Sequence, residues 1–228
     1  QPLFILTDIE GTTTPKDFVF QVLFPYFQEN LSEVMLHASK PAFQEGIKMV
    51  QATVLAEENR TIELEEVITY LAKWVKEDRK HPGLKHLQGL IWENAYESGQ
   101  IKGQIYGEVP NEIATWHKSG IQLGIYSSGS VKAQQLLFKY SEFGDLTNYF
   151  SAYFDTNVGH KREKAAYEKI SEQLGMNTEK ILFLSDIAEE LDAAAACGFA
   201  TCQVVRDDTT IPSNKHKQIK NFTELSWQ

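Results

Sequence analysis

Apolar residues along the chain follow two rhythms. Leu3–Thr7, Ile121–Tyr126, Ile181–Ser185 and Thr201–Val205 are mostly unbroken apolar runs, with a shorter one at Tyr153–Phe154. Runs without polar alternation suit strands covered on both faces of a parallel sheet. Between the later runs, apolar positions recur at helical spacing over roughly 130–140, 163–174 and 187–196. Strand and helix alternate with short connections, which predicts an α/β fold with a doubly wound, mostly parallel sheet.

Residues 17–98 break this alternation. Phe18, Val22, Tyr26 and Phe27 recur at helical spacing, as do Phe43, Ile47, Val50 and Val54; Ile62, Val67, Ile68, Leu71 and Val75; and Leu84, Leu87 and Ile91. Four amphipathic helices in succession can bury a core of their own. The expected organisation is therefore an α/β core from 1–16 and 99–228, with a helical insertion at 17–98 after the first strand. Such an insertion would lie above the strand's carboxyl end, where open α/β sheets bind ligands. Lys102–Tyr106 and a helix around Val109–Lys118 lead back into the sheet, and polar Arg206–Lys220 reads as a surface loop.

The strand ends carry chemistry. "LTDIEGTT" places Asp8 and Glu10 after the first strand, and Ser127-Ser128-Gly129-Ser130 follows the second. "DTNVGHKREK" brings Lys161 into a helix, and "ILFLSD" ends in Asp186, with Glu190 and Asp192 beyond. Each has an ordinary reading: a turn at Asp-Gly, a loop at "SSGS", a solvated Lys161, an N-cap at Asp186. Parallel strands end on one edge, however, so these groups would converge. Together they suit phosphoryl transfer. A carboxylate can attack covalently, acids from two strands can hold Mg²⁺, and hydroxyls, helix N–H groups and a lysine can bind phosphate.

Composition narrows the setting. The 228 residues are 42% hydrophobic and 23% charged, ordinary for a soluble globular protein. A net charge of -9 argues against nucleic acid or an anionic membrane as the main partner, while leaving room for a locally positive site. Cys197 and Cys202 match neither metal spacing nor a disulfide framework. No apolar run approaches the ~18 residues of a membrane span, and no signal peptide is visible. A cytoplasmic location is expected, and nothing demands more than a monomer.

The ordered set Asp8-Ile9-Glu10-Gly11-Thr12, Ser127-Ser128, Lys161 and Asp186 resembles the haloacid dehalogenase superfamily of phosphohydrolases. Glu10 stands where that superfamily usually has Asp. The stretches "LFPY", "LQGLIW", "IYSSGSVKAQQLLF", "YFDT", "GHKRE" and "LFLSDIAEELDAA" are similar to its enolase-phosphatase family of methionine salvage, the acireductone synthases. The resemblance implies a Rossmann-like core with a helical cap. It implies Asp8 as the attacking carboxylate and one Mg²⁺ held by Asp8, Glu10 (through its backbone carbonyl) and Asp186. Ser127, Ser128 and Lys161 would hold the substrate, with Thr12 and Glu190 in support. The implied substrate is a small phosphorylated diketone, 2,3-diketo-5-methylthiopentyl-1-phosphate, which is enolised and then dephosphorylated. Glu10 is the leading candidate for the proton carrier. A phosphatase for another small phosphorylated metabolite, and a catalytically silent binding protein, stay open. The segment "DRKHPGLKHLQGLIWENAYESG" is where substrate discrimination is expected, although Leu84, Leu87, Ile91 and Trp92 at helical spacing suit a core at least as well. His81 and His86 do not share a helical face and suggest no metal. His160 reads as exposed.

Overall fold

The computed structural model describes residues 1–226. The chain divides into two compact units, one running over Asp17–Ile101 and the other combining Gln1–Lys16 with the chain from Lys102 onward.

The helical unit opens with a π-helical turn, Phe18–Leu23, that runs into α1 (Phe24–Glu29). The extra residue of the π turn shifts the inward face. Phe18 and Phe27 are buried as the spacing predicts, but Leu23 lies between them, while Val22 and Tyr26 are half-buried. A short α2 (Ser32–Leu36), which the apolar pattern does not signal, leads to α3 (Pro41–Glu58), α4 (Leu64–Lys76) and α5 (Pro82–Glu97). α3 buries Phe43, Ile47, Val50 and Val54. α4 buries Val67, Leu71, Trp74 and Val75, and it starts at a reciprocal cap between Glu63 and Glu66. Ile62, expected inside this helix, is buried just ahead of it. Leu84, Leu87, Ile91 and Trp92 of α5 are buried, so these four are core residues. The Trp92 indole donates to the Leu23 carbonyl at 3.0 Å. α3 and α5 meet at Gly46, where a Cβ would lie 2.6 Å from Leu87 Cγ.

His81 caps α5. Its Nδ1 accepts from the backbone N–H of Gly83 at 3.1 Å and of Leu84 at 3.4 Å, and its Nε2 faces Thr53 Oγ1 at 2.7 Å. An Nδ1 that accepts is unprotonated, so the ring is neutral with its proton on Nε2. Burial, aided by the Arg79 charge, holds its pKa below the usual 6.5.

The second unit is a six-stranded sheet: β1 (Phe4–Thr7), β2 (Gln122–Tyr126), β3 (Ala152–Phe154), β4 (Ile181–Ser185), β5 (Ala200–Val204) and β6 (Lys217–Ile219). The order is β3-β2-β1-β4-β5-β6, and every pairing is parallel. Helices α6 (Val109–Lys118), α7 (Val131–Lys139), α8 (Lys164–Leu174) and α9 (Ala188–Cys197) connect the strands. β6 corrects the expectation that Arg206–Lys220 is only a surface loop. It has no apolar run; Ile219 alone is buried, and register with β5 makes it a strand. Phe4, Leu6 and Phe183 pack on Tyr167 and Ile170 of α8 and Leu191 of α9. The Tyr167 ring lies 5.6, 5.4 and 5.7 Å from those of Tyr126, Phe183 and Phe199. The chain runs outward from β1 to β3, then returns to β4 beside β1. That reversal opens a crevice at the carboxyl ends of β1 and β4.

The depressed His81 pKa gives the fold a pH dependence. The unfolded chain takes up the proton near the usual 6.5 and the folded chain does not, so stability falls as pH drops below that value. The urea midpoint should decrease from pH 7.5 to pH 5. In His81→Asn, which keeps a capping acceptor but cannot titrate, it should decrease less over the same span. Equal decreases in both proteins would contradict this role.

Candidate active site

Asp8 follows β1 directly, its N–H bonded to the Leu184 carbonyl of β4 at 2.9 Å, and its side chain is buried. The chain then folds back on itself. The N–H groups of Thr12, Thr13 and Thr14 all point at the Ile9 carbonyl, at 3.1, 2.9 and 3.0 Å. Gly11 has φ +75°, and a Cβ there would sit 2.7 Å from Asp186 Oδ2. The turn therefore needs glycine both for its backbone and for the acid beside it. Arg206 braces the turn from the other side. Its Nη2 and Nε donate to the Thr12 carbonyl at 2.6 and 3.1 Å, while its guanidinium pairs with Glu108 and lies 4.1 Å from the Tyr106 ring centre.

Lys161 is buried between two acids, 2.5 Å from Asp8 Oδ1 and 2.7 Å from Glu190 Oε2. Two core tyrosines hold the loop that carries it. Tyr167 donates to the Lys161 carbonyl at 2.6 Å, and Tyr126 to the Gly159 carbonyl at 3.0 Å. Ser185, the last residue of β4, donates to Glu190 Oε2 at 2.9 Å. Asp186 follows, its Oδ2 paired with Lys16 Nζ at 2.7 Å. Ser127 is buried after β2, donates toward Glu10 Oε2 at 3.4 Å and accepts from the Gly129 N–H at 3.2 Å. Ser128 is half-buried in the same turn.

Five of the six residues singled out from sequence thus lie in contact chains at one sheet edge: Asp8 with Lys161, Glu10 with Ser127, and Asp186 beside Gly11. Asp192 points elsewhere, to Lys215 and His216. His160 is exposed and accepts the Arg162 N–H. Sequence reasoning missed Lys16, Arg206 and Gln203. Lys16 and Arg206 read as ordinary surface cations. The buried amide of Gln203, which donates to the Asp186 carbonyl at 2.9 Å, sits in an apolar strand where a lone Gln was the only signal.

Burial dominates the electrostatics. It raises the Asp8 pKa well above the ordinary carboxylate range, against the opposing pull of Lys161, and it raises that of Asp186 against Lys16. Burial also opposes the charge on Lys161, but Asp8 and Glu190 outweigh it and lift its pKa. Asp8, Glu10, Asp186 and Glu190 stand against Lys16 and Lys161, so negative charge is in excess. Asp186 Oδ1 is buried without a hydrogen-bond partner. Among the described residues no three acidic, histidine or cysteine side chains form a ready-made metal cluster. The set on offer is two carboxylates, Asp8 and Asp186, with backbone oxygen between them in sequence. That composition fits a hard cation which shares its shell with substrate and water.

The chain matches known proteins over nearly its whole length. The model of the haloacid dehalogenase-like hydrolase family matches residues 4–198. Enolase-phosphatase E1 of a Picosynechococcus species is 47% identical over 223 residues, covering 98% of this chain and 97% of that protein. Enolase-phosphatase E1 of Pseudomonas syringae pv. tomato is 46% identical over 220 residues, covering 96% and 95%. The crystal structure of the UTR4 protein of Saccharomyces cerevisiae superposes with a TM-score of 0.78 at 35% identity, covering 99% of this chain and 100% of that one. With a parallel α/β fold, a family model over most of the chain and relatives 46–47% identical nearly end to end, the chain belongs to the haloacid dehalogenase-like hydrolases, in their enolase-phosphatase family.

Proposed function

We propose that this protein converts 2,3-diketo-5-methylthiopentyl-1-phosphate to the acireductone 1,2-dihydroxy-3-keto-5-methylthiopentene and phosphate, a step of methionine salvage. The observation that carries the reading is the buried Asp8 carboxylate at the switch point of the sheet, held at 2.5 Å by Lys161. The family membership supplies the substrate.

The reading assigns roles to the chain's own groups. In the first half, a base takes a proton from the carbon bearing the phosphoester and the neighbouring carbonyl oxygen takes one from solvent, giving the enol. Glu10 is assigned as that base. It is half-buried, and the Ser127 hydroxyl at 3.4 Å orients its carboxylate. In the second half, an Asp8 oxygen attacks phosphorus, the bond to the enol oxygen breaks, and Glu10 returns a proton to that oxygen. Water then hydrolyses the aspartyl-phosphate, regenerating Asp8. Lys161, already cationic, holds the phosphate as the Asp8 charge is consumed, and Ser127 and Ser128 bind its remaining oxygens. Mg²⁺, one per chain, is assigned to Asp8, the Glu10 backbone carbonyl and Asp186, where it would neutralise charge between nucleophile and phosphate. The helical insertion is assigned as the cap that chooses among substrates.

Two results would test the division of labour. With the diketone phosphate under anaerobic conditions, the wild type should release phosphate together with enediol absorbance. Asp8→Asn should lower phosphate release by about a thousandfold or more, yet still exchange the hydrogen on the phosphoester carbon with deuterated solvent. Glu10→Gln should lose that exchange as well. Phosphate without enediol absorbance would point instead to a phosphatase for another metabolite, and exchange that survives in Glu10→Gln would remove Glu10 as the base.

Tyr167→Phe deletes the donor to the Lys161 carbonyl and leaves that oxygen unanswered in the core. It should cost about 1–3 kcal/mol of stability and raise KM more than it lowers kcat, because Lys161 is displaced rather than lost. An unchanged KM would show that the tyrosine is only packing.

A further inference from the structure

Lys16 has no part in the roles assigned above, yet it reaches the buried end of the site. Its Nζ lies 2.7 Å from Asp186 Oδ2 and 3.2 Å from Thr210 Oγ1. The Asp186 side chain is 1% exposed and that of Lys16 is 32% exposed, so the ammonium comes to a buried acid from the solvent side. The approach is shaped for it. A Cβ on Gly11 would lie 2.5 Å from Lys16 Cε as well as against Asp186, so any larger residue there would close the passage.

The far side is equally defined. Thr210 is buried and bonded through its N–H to the Asp207 carbonyl. Gln203 Nε2 donates to the carbonyls of both Asp186 and Ile211, tying the Thr210 loop to the acid. The other Asp186 oxygen, Oδ1, has no hydrogen-bond partner. One carboxylate thus presents an oxygen held by a retractable cation and an oxygen held by nothing.

We propose that Lys16 is a resident competitor for the divalent cation at Asp186. This rests on the reading of Asp186 as a cation ligand. A lysine ammonium and a doubly charged ion repel at such range, so the ion binds only as the ammonium gives up Asp186 and Thr210 together and withdraws to solvent. The flexible stem of lysine makes that withdrawal possible, and its exposure keeps the displaced charge hydrated. Lys16 lowers the affinity of the site for the cation, and in exchange Asp186 is never a buried charge without a partner.

The test is calorimetric titration with MgCl₂ alone, at pH 8, on the full chain. Lys16→Met should bind Mg²⁺ about tenfold more tightly than wild type or better, and Lys16→Arg should stay near wild type. Without added Mg²⁺, Lys16→Met should melt at a lower temperature than wild type, and Mg²⁺ should restore the difference. Thr210→Val, which removes only the hydroxyl that anchors the ammonium, should bind Mg²⁺ roughly threefold more tightly and carries the test if Lys16→Met does not fold. Mg²⁺ affinity equal to or weaker than wild type in the folded variants would overturn the proposal. Asp186→Asn separates the two readings. If it loses Mg²⁺ binding while the Lys16 variants match wild type, only the competition fails; if it binds as wild type does, or no protein binds Mg²⁺, the cation assignment fails and the competition with it.

Discussion

A carboxylate taken out of water is tolerated only where positive charge or hydrogen-bond donors answer it. Around the crevice between β1 and β4, Asp8, Asp186 and Glu190 are buried, with exposures of 3%, 2% and 8%. Much of the surrounding structure answers that demand. Lys161 is gripped by two of them and Lys16 by the third. Ser185 satisfies Glu190, and Gln203 fixes the backbone of Asp186. The negative charge left over at this edge favours a cation there over an anion.

Precise placement comes from the hydrophobic core rather than from the polar groups themselves. Tyr126 and Tyr167 are packed edge-on against each other and at a tilt against Phe183, yet each sends its hydroxyl to the loop carrying Lys161. An aromatic ring locked on several sides has few ways to move, and its polar tip inherits that rigidity. On the opposite flank Arg206 does the same for the Thr12 carbonyl, clasped by Tyr106, Phe222 and Glu108. The Lys161 loop and the turn after β1 are thus each held by a polar group clamped among aromatic rings.

The sheet was legible in the sequence because its central strands are buried on both faces, and an unbroken run such as Phe4–Thr7 or Ile181–Ser185 has few other uses. The acids were legible because they sit at the ends of those runs. β6 was not, since an edge strand with exposed Lys217 and Gln218 is specified by its neighbour's backbone rather than by its own side chains. The Phe18–Leu23 turn hid for a related reason: a π turn and an α turn use the same residue types, and only packing chooses which of Val22 and Leu23 goes inward. Lys16 and Arg206 escaped because a cation's partner, often nearly two hundred residues away, is invisible to local pattern; both reach groups across such gaps.

The position of β1 carries a consequence for how the protein is made. Its neighbours on either side begin pairing with it at Gln122 and Ile181. The first of these six strands in chain order is therefore central to the finished sheet, but it waits for more than a hundred residues before a neighbouring strand exists. At ordinary synthesis speeds of about 5–20 residues per second, that delay is on the order of ten seconds. During it, an apolar segment ending in the proposed nucleophile has nothing to pair with, while the helical unit behind it already possesses a core of its own. Residues 17–101 thus separate in time two strands that touch in space, and this chain depends on the nascent Phe4–Thr7 segment being kept from other partners until the rest of its sheet arrives.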